Sequence, residues 1–343
     1  WHLDYLKMDE AHRITEGAGV KVAVIDTGTS AHTDLKRNLL KGTDVIPDGN
    51  GTGRVDTSGH GTLIAGLIAG HGHGSGAGAL GMAPAAKVVP VKAFEGPADN
   101  GDSLVAAIEW ATKAGVGVMN ISGATVPSRP LLAAAGEAVR SDVVVVASSG
   151  NRSDGFLVAY PAAIPEVLAV GAVDKKGKLA DFSVTGSAVD ICAPGADIVG
   201  PYKNNKYYKG NGTSESAAVA SGAVALVRAK FPELSAEEVV HRITATADDI
   251  GPSGKDDQCG YGVLNVVKAL TAEVGPLTSA TPAATSAAPS AVTPVTADVP
   301  TAPVAAAEPK SSSSTALVAG AGIGAVGLAG LLAFVMIRKR RAS

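Results

Sequence analysis

The sequence predicts an α/β domain with a mostly parallel central sheet, followed by a disordered linker and one C-terminal transmembrane helix. Three features of the 343 residues carry that expectation. Short β-branched runs alternate with helical stretches up to about residue 274. A tract rich in Ala, Pro, Ser and Thr comes next. A charge-free apolar segment then closes the chain, just ahead of a basic tail.

The runs at 20–25, 116–121, 143–146 and 167–170 read as strands. They are nearly continuous in small and branched apolar residues, the pattern of strands covered on both faces in parallel sheets. Between and after them, 103–113, 131–140 and 235–247 read as helices. Strands alternating with helices give a layered α/β architecture. Hydrophobic residues make up 46% of the chain, aromatics only 4%, and there are 42 glycines. That mix points to a sizeable core of small aliphatic side chains punctuated by tight turns. Residues 1–274 form one domain of ordinary size.

Residues 275–315 form the linker, in which only Asp298, Glu308 and Lys310 are charged. Such a composition buries too little apolar surface to fold. At ~3 Å per residue, a Pro-rich spacer of this length reaches up to roughly 120 Å. Residues 316–337 contain 22 positions without a charge, enough at ~1.5 Å per residue to cross ~30 Å of hydrocarbon. The tail at 338–343 begins Arg338-Lys339-Arg340-Arg341. The positive-inside rule places that tail in the cytoplasm and the folded domain outside. The expected location is therefore the cell membrane, single-pass, with an extracellular domain. The start at Trp1 has no basic n-region or apolar h-region and reads as a processed form whose export signal has been removed.

Net charge is −3, from 29 basic and 32 acidic residues, and no basic surface cluster points to nucleic acid. Cys192 and Cys259 are too few for a disulfide scaffold or a four-cysteine zinc site. A single bridge in an exported domain and two buried thiols both fit.

Three short motifs carry the chemistry. Asp26 ends the buried run Val22-Ala23-Val24-Ile25 and precedes Thr27-Gly28, at the strand end where open α/β sheets place their sites. Gly59-His60-Gly61-Thr62 opens an apolar stretch. Gly210-Asn211-Gly212-Thr213-Ser214 opens a second, longer one. A Ser at a helix N-terminus has an exposed hydroxyl with backbone N–H groups nearby. Singly, each has a bland reading: Asp26 as a helix cap, His60 as a packing histidine, Ser214 as an N-cap, Asn151 as a turn residue. Together, Asp, His and Ser in that order at glycine-flanked element boundaries are hard to obtain by chance.

With these motifs the sequence resembles the subtilisin-like serine proteases, the subtilases, whose triad runs Asp, His, Ser along the chain. His32-Thr33-Asp34-Leu35, Gly81-Met82-Ala83-Pro84, Ser149-Gly150-Asn151, Tyr160-Pro161-Ala162, Ala193-Pro194-Gly195 and Gly260-Tyr261-Gly262-Val263 extend the likeness over most of residues 1–272. The start and the basic-tailed anchor resemble the mycosin-type members of actinobacteria. The resemblance implies a subtilisin-like three-layer fold and a serine endopeptidase working through an acyl-enzyme. In it, Ser214 is the nucleophile, His60 the base and later the acid, and Asp26 the residue that holds the imidazole. Asn151 and the Ser214 N–H would face the oxyanion. Ser122, Gly123 and Ala124, with Ser148, Ser149 and Gly150, would wall the S1 pocket and pair with an extended peptide or protein substrate. No cofactor is implied, and secretion-system components are the partners suggested beyond substrate and membrane. An impaired subtilase serving as a scaffold in a membrane secretion complex is the alternative, and an esterase with the same triad a third reading.

The chain departs from the family pattern in three places. Glu215 stands where the family has Met or Phe, and Ala218 where it has Pro. A carboxylate is favourable at a helix N-terminus and unfavourable beside an oxyanion. Glu215 is therefore expected either to turn to solvent or to bias the leaving-group side toward basic residues. Gly123 stands where the family usually has a bulkier residue. The loop at 71–80, where many subtilases hold calcium, has no carboxylate or Asn, so no metal is assigned, and His71 and His73 read as solvated.

Overall fold

A computed structural model describes residues 1–47, 49, 51–95 and 101–277. Nearly all of the expected linker and the whole transmembrane segment lie outside the described residues. Among the described residues no helix is long and apolar enough to cross a membrane.

The chain enters through two short helices, α1 (His2–Tyr5) and α2 (Met8–Ile14), and then forms β1 (Lys21–Asp26) and β2 (Thr43–Asp44). Next come α3 (His60–Ala69), a hairpin of β3 (His71–His73) and β4 (Ala77–Leu80), and β5 (Lys87–Lys92). The central part runs α4 (Asp102–Lys113), β6 (Val118–Ile121), α5 (Arg129–Arg140), β7 (Val144–Ser148), β8 (Leu168–Val173) and β9 (Ile191–Pro194). A second hairpin, β10 (Ile198–Tyr202) and β11 (Lys206–Gly210), leads into α6 (Thr213–Lys230), α7 (Ala236–Ala245) and α8 (Val266–Thr271).

Seven strands form one sheet in the order β2-β5-β1-β6-β7-β8-β9, and every pairing in it is parallel. Apart from the half-buried edge strand β2, each strand buries both faces. Val22, Val24, Val118 and Val146 pack with the α3 and α6 side, whereas Ala23, Ile25, Met119 and Val145 pack with α4 and α5. Burial on both sides explains why the sequence shows continuous apolar runs rather than alternation. Three strands of the sheet are missing from the sequence reading: the two-residue β2, the four-residue β9 and β5, which carries Pro90 at its centre. Its outer neighbour β2 reaches only Val91 and Lys92, so the proline sits where the sheet is close to an edge and a missing N–H is tolerated.

α6 runs through the centre of the molecule. Every residue from Thr213 to Arg228 except Ser214 is buried. A helix buried all round must be apolar or small-residue on every face, and the Ala-rich sequence of α6 meets that demand.

Cys192 on β9 and Cys259 are bridged, with their Cα atoms 5.0 Å apart, which decides between the two readings open from sequence. In the chain-entropy treatment a loop of this size stabilises by about 4 kcal/mol. Replacing both cysteines by Ala is expected to lower the unfolding free energy by about that amount in urea titrations followed by circular dichroism.

Candidate active site

β1 bonds β5 on one edge and β6 on the other, although β5 and β6 are consecutive in the sheet's chain order. The C-terminal end of β1 is therefore a point where strand order reverses, the place open α/β sheets use for their sites. Asp26, only 1% exposed, closes β1 there. Its Oδ1 accepts the Thr27 N–H at 2.7 Å, and its two carboxylate oxygens lie 2.8 and 2.9 Å from Nδ1 of His60. His60 is the first residue of α3, entered through Gly59 at φ 95°. A Cβ on Gly61 would stand 2.0 Å from the Gly28 carbonyl, so only glycine lets the helix start come this close to the strand end.

Asp56 fastens this junction and went unnoticed in the sequence. Its Oδ1 accepts the Thr27 hydroxyl at 2.9 Å and the Gly59 N–H at 2.7 Å. Its Oδ2 accepts the Thr62 N–H at 2.9 Å and the Thr62 hydroxyl at 2.6 Å. Two unpaired N–H groups at the start of α3 are thereby satisfied from outside the helix. The readable signal was an Asp just ahead of a helix start, the usual capping residue type.

Ser214 is the second residue of α6. Its hydroxyl donates to the Ser122 carbonyl at 3.5 Å, and its own carbonyl accepts the Ser122 hydroxyl at 3.2 Å. Ser122 also accepts Nδ2 of Asn120 at 2.9 Å, while Oδ1 of Asn120 accepts the Ser221 hydroxyl at 2.9 Å. This buried chain ties α6 to the end of β6. Among the described residues no hydrogen bond joins His60 to Ser214, yet both line one cleft of about 330 Å³ together with Asn151 and Glu215. In unliganded sites such bonds are often long and tighten only with substrate.

Asn151 is oriented through its carbonyl. Oδ1 accepts the Thr213 N–H at 3.1 Å and the Thr213 hydroxyl at 3.3 Å, which leaves Nδ2 as the donor available to the cleft. At the start of α6 the Thr213 N–H is taken by Asn151 and the Glu215 N–H by its own carboxylate, so the Ser214 N–H between them is the helix-start donor left on the same side. Ser122, Gly123 and Ala124 follow β6, and Ser148 ends its parallel neighbour β7, with Ser149 and Gly150 directly after it. The two edges thus flank one gap. Ser149 turns inward, its hydroxyl donating to the Val184 carbonyl at 3.2 Å, and so contributes backbone rather than side chain. A Cβ on Gly123 would meet the Phe94 ring at 2.6 Å. Phe94 therefore fills the space that a larger residue at that position would take.

Glu215 does not turn to solvent as one reading had it: it is 5% exposed and faces the cleft. Burial raises its pKa, opposed by its own backbone N–H and by the charge of His60. His60 responds to its surroundings more strongly. Burial pulls its pKa down, but the charge and hydrogen bond of Asp26, helped by Glu215 and Asp56, outweigh this and lift it to about 9.

In the hairpin loop, His73 is not simply solvated: its Nδ1 pairs with Oδ1 of the buried Asp34. Asp34 also accepts the Ala79 N–H at 2.8 Å and the Tyr207 hydroxyl at 2.7 Å. Among the described residues no group of three or more His, Cys, Asp or Glu is arranged to hold a metal.

Residues 17–262 match the subtilase family of S8 peptidases. The chain is 38% identical over 264 residues to subtilisin DY of Bacillus licheniformis, covering 74% of this chain and 92% of that protein. It superposes on MycP1 from Mycobacterium smegmatis with a TM-score of 0.71 and 31% identity, over 80% of this chain and 86% of that one. MycP3 protease from the type VII (ESX-3) secretion system gives a TM-score of 0.70 and 32% identity, over 79% and 88% of the two chains. These neighbours bear out the mycosin-type likeness read from the sequence.

Three carboxylates surround one imidazole, so removing them changes its titration in a known direction. In isotope-labelled protein, the His60 ring signals are expected to titrate near pH 9. Glu215→Gln moves the midpoint to lower pH, and Asp26→Asn moves it further, since Asp26 supplies the larger part of the lift.

Proposed function

The chain belongs to the subtilase family of serine peptidases, and from that premise we propose that it cleaves peptide bonds internally through an acyl-enzyme, at the outer face of a membrane. The observation that carries the reading is the paired Asp26 and His60, whose imidazole opens onto the same cleft as Ser214 and Asn151.

Each proposed role follows from position. A serine hydroxyl is a weak nucleophile until a base accepts its proton. His60 is that base in its neutral form, and it returns the proton to the departing amine. Asp26, bonded to Nδ1, leaves Nε2 as the nitrogen that faces Ser214 and stabilises the imidazolium as it forms. Nδ2 of Asn151 and the Ser214 N–H receive the negative oxygen of the tetrahedral intermediate. In a subtilisin, losing one such asparagine donor costs about 3 to 4 kcal/mol, a value established there and not obtained from this chain. The edges at Ser122, Gly123 and Ala124 and at Ser148, Ser149 and Gly150 hold the acyl side of the substrate as an added strand.

The location rests on the charge-free segment 316–337 and the basic tail after it. Similar structures include a serine protease MycP1 described as an essential component of the type VII (ESX-1) secretion system. Components of such an assembly are the partners we propose beyond substrate. The peptidase reading is favoured over the scaffold-only alternative by the Asp26–His60 pair opening onto a cleft shared with Asn151 and Ser214.

A serine-directed fluorophosphonate is expected to label the full-length chain and not its Ser214→Ala variant. Asn151→Gly should lower kcat by roughly 10²- to 10³-fold with little change in KM. For the anchor, the full chain is expected in the membrane fraction and accessible to a non-permeant probe, while a chain ending at Leu277 is released as soluble protein. Release of the full-length chain would overturn the anchor alone.

A further inference from the structure

The cleft beside the nucleophile has a sidedness. Its wall includes His60, Asn151, Tyr202, Tyr208, Ser214 and Glu215, and none of the six residues placed on the acyl-side edges. A substrate lying along those edges presents its departing half to this cleft, next to the imidazole that must protonate the leaving amine.

Glu215 supplies the carboxylate of the wall. It is 5% exposed, and among the described residues no ion pair forms with it. Its carboxylate occupies space left by two glycines: a Cβ on Gly210 would lie 1.9 Å from Oε1, and one on Gly212 would lie 2.7 Å from Oε2. A buried carboxylate answered only by its own backbone N–H and by the charge of His60 is still costly, and a cation arriving with a ligand lowers that cost. The charged groups acting on Glu215 are His60 and Asp26. Lys203 bonds the Thr57 carbonyl through its Nζ, which lies 5.8 Å from the Tyr202 ring centroid. Tyr202 and Tyr208 are stacked with ring centroids 5.1 Å apart, and the Tyr202 hydroxyl is held by the Ser58 carbonyl at 2.6 Å. The cleft therefore combines a buried carboxylate that makes no ion pair among the described residues with fixed aromatic surface, the pairing that attracts an ammonium or guanidinium group.

We infer that Glu215 is a specificity-determining residue that selects Lys or Arg immediately after the scissile bond, holding the cationic side chain against its carboxylate in the cleft with Tyr202 and Tyr208. This deepens the peptidase reading and rests on it.

The test uses the full chain in detergent micelles and peptides identical except for the first leaving-group residue: Lys, Arg, Leu or Glu. Charge-assisted pairing predicts kcat/KM for Lys and Arg about tenfold or more above Leu, and Glu below Leu. In Glu215→Gln the ratio of Lys to Glu substrates should fall to within about threefold, whatever happens to the absolute rate. Gly210→Ala keeps the charge but displaces the carboxylate, and should lower the same ratio. Wild-type protein that labels with fluorophosphonate and cuts Lys and Glu peptides equally well overturns the inference and leaves the peptidase reading standing. So does a Glu215→Gln variant that keeps the full preference. Wild-type protein that neither labels nor cleaves overturns both.

Discussion

The pairing of Asp26 with His60 is the contact around which the rest of the site is arranged. A carboxylate 1% exposed at the end of a fully buried strand is tolerated only if its charge is answered. The imidazole does this with both carboxylate oxygens, at 2.8 and 2.9 Å. That contact in turn requires the first residue of α3 to meet the last residue of β1. The close approach of Gly61 to Gly28 permits the meeting, and Asp56 fixes it by bonding the strand end and the helix start at once. Geometry and electrostatics therefore share a cause, since the acid that positions the loop also adds to the field that raises the basicity of His60.

The second half of the site depends on α6. Because this helix runs buried through the core, its N-terminus is held against the sheet and cannot drift. Ser122 bonds the Ser214 carbonyl, and Asn120 bonds Ser122 and Ser221. One side-chain chain thus sets the end of β6 and the start of α6 in register. Thr213 does the same for the end of β7, through Gly150 and Asn151. Ser214, Asn151 and the edges at 122–124 and 148–150 are consequently fixed by the same few bonds. A group held this way does not have to be reorganised as charge develops, which is what electrostatic stabilisation of a transition state needs.

The sequence made visible what repeats locally. Continuous Val and Ala runs announced β1, β6, β7 and β8, and glycine-flanked Asp, His and Ser singled out Asp26, His60 and Ser214, which meet at one cleft. It concealed what depends on contacts distant in the chain. β5 was masked by Pro90, acceptable only because β2 is so short. Asp56 showed only as an acid ahead of a helix start, and the bonds it makes to Thr27 depend on tertiary placement. Tyr202 and Tyr208 lie on a hairpin whose relation to the nucleophile is purely tertiary. Cys192 and Cys259 are 67 residues apart in sequence, and composition alone left their pairing open. Glu215 was conspicuous as a residue type, but its direction was undecided, because the space that draws it inward is made by Gly212 and Gly210, where β11 turns into α6.

That inward direction sets two demands against each other. The N-terminus of α6 favours a carboxylate by about 0.3–1 kcal/mol when partly exposed, while burial opposes it. Glu215 also raises the basicity of His60, which strengthens the base but leaves less of it neutral at ordinary pH. General bases work best when their pKa lies near the working pH. A cation placed beside Glu215 relieves both conflicts, because it answers the buried charge and draws the pKa of the imidazole back down. A substrate carrying that cation would complete the electrostatics of the site as it binds, and a neutral one would leave them unbalanced. The same residue then acts on affinity through direct contact and on rate through His60, and the two effects favour the same class of substrate.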